Sequence, residues 1–299
     1  MKIGFIGLGR MGGHMARNVL KSGEHEMRVF DTNPDALDAL VADGATPATS
    51  PMDASAGADI VFTSLPGPSD VLEVALGEGG ILAGLPDGAA YVDLSTVSPE
   101  TLQRVSQTAD GRGIGVLDCP VSGGVGGAEA ATLCLMAGGD SAVFEKVRPV
   151  LNLIGDPDKV ILCGDIGAGS VCKLMNNLVG LSTSILLAEA FSTGLAAGVD
   201  ARTLYRVIMG STGASVCLAQ WENSILAGDF EPGFALALAA KDVRLATDLG
   251  RTHGIPMEVS NVSDQKFTEA MAAGLGEEVA SSVARLQEKR TGIQLRFSP

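Results

Sequence analysis

Short, mostly apolar runs alternate with amphipathic stretches through the first half of the chain. Each run is three to five residues long and leads into Gly, Pro, Ser or Asp, which is the pattern of a strand buried in a sheet. Alternation of strands and helices predicts an α/β fold with a doubly wound, Rossmann-type parallel sheet. The predicted strands are Lys2–Ile6, Met27–Phe30, Ile60–Ser64, Ala90–Asp93 and Gly115–Leu117, and the first predicted helices are Met11–Ser22 and Pro34–Asp43.

The pattern changes after about Gly164, where strand-like runs disappear and helical periodicity continues. We therefore predict two domains, an α/β domain over residues 1–163 and an all-helical domain over residues 164–299. A single continuous α/β domain is the alternative. The helices predicted in the second half are Val171–Ala197, Ala201–Met209, Ala235–His253, Val259–Ala273 and Glu277–Thr291.

Composition narrows the choice of partner. The 299 residues include 39 glycines and only 4% aromatic residues, a bias that suits close packing of helices on a parallel sheet. The formal net charge is -14 and no segment concentrates Lys or Arg, so we expect no nucleic-acid and no membrane partner. An anionic cofactor is compatible with this charge, because helix N-termini bind phosphate locally.

The five cysteines and three histidines form no zinc-ligand pattern and no C-x-x-C pair. We predict reduced thiols, no metal and a cytoplasmic location. The apolar run at the N-terminus is too short for a signal peptide. The apolar stretch Leu174–Leu195 contains Asn176, Asn177 and Glu189, so we interpret it as a buried helix rather than a membrane span.

A G-x-G-x-x-G pattern lies between the first predicted strand and the first predicted helix, the context that dinucleotide binding requires. The first glycine permits a tight turn, the second lets the backbone approach a pyrophosphate, and the third lets the helix pack closely on the strand. An ordinary strand–turn–helix junction is the structural alternative. The predicted cofactor-binding residues here are Gly7, Leu8, Gly9, Arg10, Met11 and Gly12.

Asp31 ends the second predicted strand and follows Gly12 by 19 residues, close to the roughly 20 at which an acid binds the adenosine ribose. A carboxylate here repels a 2′-phosphate, and Thr32, Asn33 and Pro34 supply no arginine to offset the repulsion. NAD is therefore favoured over NADP. Capping of the next helix is the alternative role for Asp31.

Two further segments carry candidate chemistry. In Asp118–Gly124 a serine is followed by two glycines, which suits the binding of a carboxylate through a hydroxyl and backbone N–H groups. In Gly164–Asn177, glycines lead into a helix that places Lys173 and Asn177 four residues apart on one face. Apolar neighbours of Lys173 would lower its pKa from about 10.4 toward neutrality, where it can exchange a proton. A solvated surface lysine is the alternative.

The chain resembles the β-hydroxyacid dehydrogenase family, of the 3-hydroxyisobutyrate dehydrogenase type, over essentially its whole length. The resemblance rests on four motifs in matching order and spacing: Gly4–Met15, Asp118–Gly124, Gly164–Asn177 and Lys241–Ala246. It implies hydride transfer between NAD and a small 3-hydroxy acid such as 3-hydroxyisobutyrate, without a metal. The apolar helical domain suggests a homodimer or homotetramer.

The resemblance also assigns roles to individual residues. It implies that Lys173 is the catalytic acid/base and that Asn177 helps to bind substrate. A strand-ending turn is the alternative for the Leu65-Pro66 pair, and a helix cap for Asp70. The implied carboxylate-binding residues are Ser122, Gly123 and Gly124, and the implied cofactor contacts are Leu65, Pro66, Asp70, Thr96 and Lys241.

Three other functions stay open at this point. A tartronate semialdehyde or other semialdehyde reductase of the same family would work mainly in the reverse direction. A non-catalytic NAD-binding protein would keep the fold without the chemistry, although the joint presence of Ser122, Lys173 and Asn177 argues against it. Imine reductases share the architecture but generally lack the lysine.

Two departures from the family pattern leave the substrate open. Cys119 stands where the family usually has alanine, and Ala131 stands where many members have glycine. We expect the remainder of the substrate to be recognised from the segment Ser211–Gly213, from Trp221 and Phe230, and from the region around Lys241.

Overall fold

The structure is a computed structural model that describes residues 1–297, and the chain divides into two units. The first unit is Met1–Lys173, and the second begins at Leu174.

Within the described residues, the first unit contributes nine strands to one sheet. Five of them coincide with the predicted strands to within a residue or two at each end: β1 (Lys2–Ile6), β2 (Glu26–Phe30), β4 (Ile60–Thr63), β5 (Ala90–Asp93) and β6 (Gly115–Asp118). The sequence pattern does not predict the other four, which are β3 (Thr46–Pro47), β7 (Val121–Ser122), β8 (Leu133–Gly138) and β9 (Gly155–Gly164).

The strands follow the order β3-β2-β1-β4-β5-β6-β8-β7, with β9 paired to β8. The pairs from β3 to β6 are all parallel, which confirms the predicted Rossmann-type α/β fold. The sheet is nevertheless mixed, because β8 runs antiparallel to β6 and to β7. The chain order reverses between β1 and β4, and ligands of such sheets bind at the carboxyl ends of the strands at this switch point.

Both faces of the sheet are covered by apolar side chains. One core cluster includes Phe5 and Phe62, whose rings stack with centroids 5.8 Å apart, and the cluster on the other face includes Ile6 and Val61. Neighbouring residues of a strand point to opposite faces, so a strand buried on both sides must be apolar at consecutive positions. This requirement explains the short apolar runs of the sequence.

The helices of the first unit include the two that were predicted, α1 (Gly12–Lys21) and α2 (Pro34–Ala42). The others are α3 (Pro51–Ser55), α4 (Pro68–Leu76), α5 (Ile81–Gly84), α6 (Pro99–Ala109), α7 (Gly124–Ala130), α8 (Ser141–Leu151) and the start of α9 (Ala168–Ala196).

The second unit is helical, as the sequence predicts. It contains the remainder of α9 and the helices α10 (Ala201–Met209), α11 (Val216–Trp221), α12 (Leu236–Thr252), α13 (Glu258–Ala272) and α14 (Arg285–Thr291).

The prediction of one helix over Glu277–Thr291 is wrong in its first half. The backbone N–H groups of Val279 and Ala280 donate to the carbonyl oxygens of Phe230 and Phe234, so they are engaged outside any helix. A short 3₁₀ turn follows at 280–284, and α14 begins only at Arg285.

Helix α9 is less buried within the chain than the sequence interpretation expects. By length and composition alone it could cross a membrane, and 33% of its most apolar window is buried. Val179 and Leu186 are exposed, and so is Val216 on α11.

Candidate active site

The turn between β1 and α1 requires glycine at two positions, and at a third glycine the space beside the backbone is empty. Gly7 has φ +88°, and a Cβ there would overlap the carbonyl oxygen of Ser64. A Cβ at Gly12 would overlap the carbonyl oxygen of Gly7, so α1 packs directly on the turn. No atom lies within 4 Å of the position a Cβ would take at Gly9. A phosphate can therefore approach the backbone at Gly9, and the residues present fit a bound dinucleotide.

The other residues of the turn have different surroundings. Leu8 is buried in the core cluster that contains Phe5. Met11 is half-buried and packs against the same cluster, and Arg10 is exposed.

Asp31 is bonded to the glycine turn rather than to the next helix. Its Oδ2 accepts the backbone N–H of Leu8 at 2.6 Å, and its Oδ1 accepts the N–H of Asn33 at 2.7 Å. The cap of α2 is Asn33, whose side chain accepts the N–H of Asp35. The alternative role of Asp31 as a helix cap is therefore wrong. Each carboxylate oxygen has a second lone pair with which to accept a ribose hydroxyl.

A buried carboxylate, which the sequence interpretation missed, links the loops after β4 and β5. The Oδ1 of Asp93 accepts the hydroxyl protons of Thr63 at 2.6 Å and of Ser95 at 2.7 Å. The Ser95 oxygen in turn accepts the backbone N–H of Leu65 at 2.8 Å. Asp93 thus fixes the loop of Leu65 relative to the strand that leads to Thr96.

Three predicted cofactor residues lie on these two loops, and a fourth, Asp70, lies in the helix that follows the first loop. Leu65 and Thr96 are half-buried and Pro66 is exposed. Asp70 is exposed in the first turn of α4, whose cap is Gly67, so a helix cap is not the role of Asp70.

Three polar residues form a row across the carboxyl ends of neighbouring strands. Thr63 is the register partner of Asp93, and Asp93 is the register partner of Asp118. Burial raises the pKa of Asp93 to about 6, against the hydrogen bonds from Ser95 and Thr63, and the charge of Asp118 adds to the rise. Burial likewise raises the pKa of Asp118 to about 6, against the hydrogen bonds that it accepts from backbone N–H groups.

The predicted carboxylate-binding loop joins β7 to α7. Ser122 ends β7 and pairs with Cys134 of β8. Gly123 and Gly124 follow with φ of +140° and +67°, values that favour glycine, and both are exposed. The loop therefore presents a hydroxyl and two accessible backbone N–H groups in sequence, which suits an anionic substrate group.

The departures in this region have structural consequences. Cys119 is fully buried, so it contributes to packing and not to a substrate surface. Ala131 ends α7 with φ +55°, and among the described residues it is the one non-glycine residue with positive φ. A glycine at this position would remove a strain that this chain retains.

Lys173 is 7% exposed, so it is not the solvated lysine that was the alternative. Burial raises the pKa of the Cys134 thiol, and the charges of Lys159 and Lys173 act against the rise. Because Cys134 is the register partner of Ser122, Lys173 lies within electrostatic reach of the predicted carboxylate-binding loop.

In the second unit, one buried carboxylate joins two predicted site residues. Asp242 is 2% exposed, and its Oδ2 accepts the amide N–H of Asn177 at 2.7 Å. Its Oδ1 pairs with the ammonium of Lys241 at 3.0 Å. Asn176 donates to the Asn177 side-chain oxygen at 3.1 Å. The sequence interpretation missed Asp242, although its position within the Lys241–Ala246 motif was a usable signal.

The expectation that Trp221 contacts substrate is wrong. Trp221 is fully buried and packs on Phe191, with ring centroids 5.7 Å apart. The ring of Phe230 is occupied by the guanidinium groups of Arg285 and Arg296, at 4.7 and 5.0 Å from its centroid.

Comparison with known proteins agrees with this geometry. Residues 2–165 match the family described as the NAD-binding domain of 6-phosphogluconate dehydrogenase. Residues 167–287 match the family described as "NAD-binding of NADP-dependent 3-hydroxyisobutyrate dehydrogenase".

Individual relatives match over nearly the full length. The 2-(hydroxymethyl)glutarate dehydrogenase of Eubacterium barkeri is 40% identical, over 99% of this chain and 97% of the relative. The NAD-dependent L-serine dehydrogenase of Pseudomonas aeruginosa is 35% identical, over 97% of this chain and 99% of the relative. The structure of Mycobacterium tuberculosis 3-hydroxyisobutyrate dehydrogenase with L-serine has a TM-score of 0.85 and 34% identity, and covers 95% of this chain and 98% of that one.

The fold, the glycine turn and these matches define a nicotinamide-dinucleotide-dependent dehydrogenase that acts on CH–OH groups. The chain belongs to the β-hydroxyacid dehydrogenase family and is of the 3-hydroxyisobutyrate dehydrogenase type.

Proposed function

We propose that this chain is an NAD-dependent dehydrogenase that oxidises the hydroxyl group of a small 3-hydroxy acid, with Lys173 as general acid/base. The observation that carries the proposal is the burial of Lys173, which is 7% exposed and belongs to the same unit as Ser122 and the glycine turn. A buried lysine can have its pKa shifted to where it exchanges a proton with a bound hydroxyl.

The relatives suggest the substrate class. 2-(Hydroxymethyl)glutarate, 3-hydroxyisobutyrate and L-serine, which appear in the names of three matching proteins, are all 3-hydroxypropionates with a substituent on C2. The shared part is a carboxylate with a hydroxyl two carbons away. Ser122 and the N–H groups of Gly123 and Gly124 suit the carboxylate, which leaves the C2 substituent to set specificity.

Each proposed role follows from chemistry that the residue offers. The nitrogen Nζ of neutral Lys173 takes the hydroxyl proton during oxidation, and its ammonium returns the proton during reduction. Asn177, held by Asp242, binds the substrate oxygen or orients the lysine. Bound NAD supplies the hydride acceptor, so the protein contributes position and proton transfer.

The proposed cofactor contacts fall into two groups. The backbone of the turn Gly7–Gly12 binds the pyrophosphate, and Asp31 binds the adenosine ribose and disfavours a 2′-phosphate. The remaining contacts are Leu65, Pro66, Asp70, Thr96 and Lys241.

The test is a steady-state assay of NADH formation with the variant Lys173→Ala. We expect kcat to fall by about 10²- to 10⁴-fold, while the dissociation constant of NAD stays unchanged. The matched control is Lys146→Ala, since Lys146 is an exposed lysine of the same unit that bonds only to the carbonyl oxygen of Gly88. Retained turnover in Lys173→Ala would contradict the proposed mechanism.

A substrate panel tests the rest of the proposal. 3-Hydroxyisobutyrate, L-serine and 2-(hydroxymethyl)glutarate should be oxidised with NAD better than with NADP. Turnover of tartronate semialdehyde with NADH, and of none of the three hydroxy acids, would favour the reductase alternative. Binding of NAD without turnover of any of them would favour a non-catalytic protein.

We also propose a cytoplasmic homodimer or homotetramer. The support is the apolar surface that the second unit leaves exposed, which includes Val179, Leu186 and Val216. Surfaces of this kind are more often covered by a partner subunit than left in water. Analytical ultracentrifugation that finds only monomer would contradict this assembly.

A further inference from the structure

The start of α9, the helix that carries Lys173, is bound by a carboxylate from the sheet. Asp118 ends β6, and its Oδ1 accepts the backbone N–H of Gly167 at 2.6 Å. Its Oδ2 accepts the N–H of Ser170, also at 2.6 Å. Both N–H groups belong to the helix start, where they have no acceptor within the helix. One buried side chain therefore satisfies both.

The backbone around this carboxylate is packed without space for side chains. A Cβ on Gly138, the register partner of Asp118, would overlap Asp118 Oδ1. A Cβ on Gly169 would overlap the carbonyl oxygen of Met136 and lie 3.0 Å from Asp118 Oδ2. The helix start is thus held against β6 and β8 by direct contact, which gives the carboxylate a defined position rather than a mobile one.

Asp118 is close along the chain to both halves of the proposed chemistry. Ser122 follows it by four residues, and Ser170, which it binds, precedes Lys173 by three residues, or about one helical turn. We propose that Asp118 is a positioning residue that fixes Lys173 relative to the Ser122 loop during proton transfer. This inference rests on the proposed function of Lys173.

The charge of Asp118 suits this role, because a helix N-terminus favours an anion. The ionisable groups within its electrostatic reach are Asp93 on β5, Cys119 beside it and Cys163 on β9. Lys173 and Cys172 lie one turn further along α9, and β8 contributes no charged residue. Burial raises the pKa of Asp118 to about 6, so the protonated carboxyl favours the fold as a whole in mild acid. The same proton replaces one acceptor by a donor, and it therefore weakens the two bonds to the helix start while the carboxyl stays buried.

The decisive variant is Asp118→Asn, in which the amide keeps one acceptor and sets an N–H₂ against a backbone N–H. We expect kcat to fall about 10- to 100-fold, as small displacements of catalytic groups do, with the dissociation constant of NAD unchanged. In the direction of carbonyl reduction, where the Lys173 ammonium is the proton donor, wild-type kcat should also decline as the pH falls through 6, and this acid limb should be absent from the variant. Replacement of a residue that only supports the fold would lower kcat without removing this acid limb.

The matched control is Asp140→Asn. Asp140 caps α8 through the N–H groups of Ala142 at 2.8 Å and Val143 at 3.1 Å, so it makes the same kind of contact away from the site. If Asp118→Asn has the kcat of this control, or loses activity while keeping the acid limb, the positioning role is wrong. If Lys173→Ala keeps its activity, the proposed function fails whatever the Asp118 variant does.

Hydrogen exchange provides a test that needs no folded variant. In the wild type, the amides of residues 167–170 should lose protection between pH 7 and pH 5, after correction for the intrinsic pH dependence. The amides of residues 142–143, held by Asp140, should not. Equal protection of residues 167–170 across this range would overturn the proposal.

Discussion

The Asn177 amide donates a 2.7 Å hydrogen bond to Asp242, a carboxylate that also forms an ion pair with Lys241. One buried side chain therefore determines the orientation of an amide proposed to bind substrate and of an ammonium proposed to contact the cofactor. We therefore expect Asp242 to act by orienting these two side chains.

For Asp242→Asn we expect kcat/KM to fall about 10- to 100-fold, since a hydrogen bond to a charged group contributes about 1.5 to 3 kcal/mol. The matched control is Asp248→Asn on the same helix, because Asp248 is exposed and pairs only with Arg251. Steady-state kinetics of the two variants decides the matter. Equal kinetics would show that Asp242 does not orient the site.

The glycine turn predicts opposite phenotypes for two alanine variants. Gly9→Ala should fold normally but bind NAD about tenfold more weakly or worse, because the methyl group occupies space that the pyrophosphate needs. Gly12→Ala should lose about 1 to 3 kcal/mol of folding free energy, because its methyl group overlaps the carbonyl oxygen of Gly7. Urea unfolding and NAD titration separate the two effects, and reversed phenotypes would contradict the structure.

Asp31→Ser should shift cofactor preference. Loss of the carboxylate removes both a ribose acceptor and the repulsion of a 2′-phosphate. We expect the ratio of kcat/KM for NAD to that for NADP to fall about 10- to 100-fold. Asp35→Ser, an exposed acid in the first turn of α2, should leave the ratio as it is. An unchanged ratio in Asp31→Ser would assign the preference to other residues.

The raised pKa of Asp93 predicts how stability varies with pH. The Asp93 carboxyl binds a proton more tightly in the native state than in the unfolded chain, where its pKa is near 3.8. Protonation of Asp93 therefore stabilises the folded state, and this stabilisation is complete below pH 3.8. This contribution declines as the pH rises from about 4 to about 6 and is absent above that. The change is about 1 to 3 kcal/mol, and Asp118 adds one of the same sign.

The measurement is the free energy of unfolding at pH 4.5 and pH 7. From pH 4.5 to pH 7, the free energy of unfolding of Asp93→Asn should fall by less than that of the wild type, because the amide does not titrate. Identical pH dependence in both proteins would mean that Asp93 is ionised with an ordinary pKa.

Ala131→Gly should stabilise the protein. The left-handed backbone of Ala131 strains a side chain, and removal of the Cβ should raise the free energy of unfolding by about 0.5 to 1 kcal/mol. Ala130→Gly, inside α7, should do the reverse and serves as the control. A destabilised Ala131→Gly variant would show that the strain is absorbed elsewhere.

The strands at the centre of the sheet were predictable because burial on both faces requires apolar residues at consecutive positions. β9 was not, because it contains Asp156, Pro157 and Asp158 and is largely exposed along its length. Its place in the sheet depends on pairing with β8, a tertiary contact that local sequence does not encode.

The candidate site shows the same division. The glycine turn and Lys173 were singled out by local sequence patterns. Other candidate residues, such as Leu65 and Thr96, were predicted from the family resemblance. Asp118 lies inside a motif that the sequence singles out, but its partners are backbone N–H groups 49 and 52 residues away. Backbone donors have no residue type, so no spacing rule finds them. The prediction for Trp221 was wrong for a different reason. An aromatic residue occurs both in protein cores and at binding surfaces, and local sequence does not distinguish the two.

The bond from Asp118 to the start of α9 also determines where the cofactor-binding unit can be separated from the rest of the chain. A fragment that ended at residue 163 would leave both carboxylate oxygens without the donors of Gly167 and Ser170. We therefore expect a fragment of the first unit to be soluble and folded only if it continues through Lys173, where this unit ends. The lysine that we propose as acid/base thus travels with the nucleotide-binding half in any domain exchange between relatives.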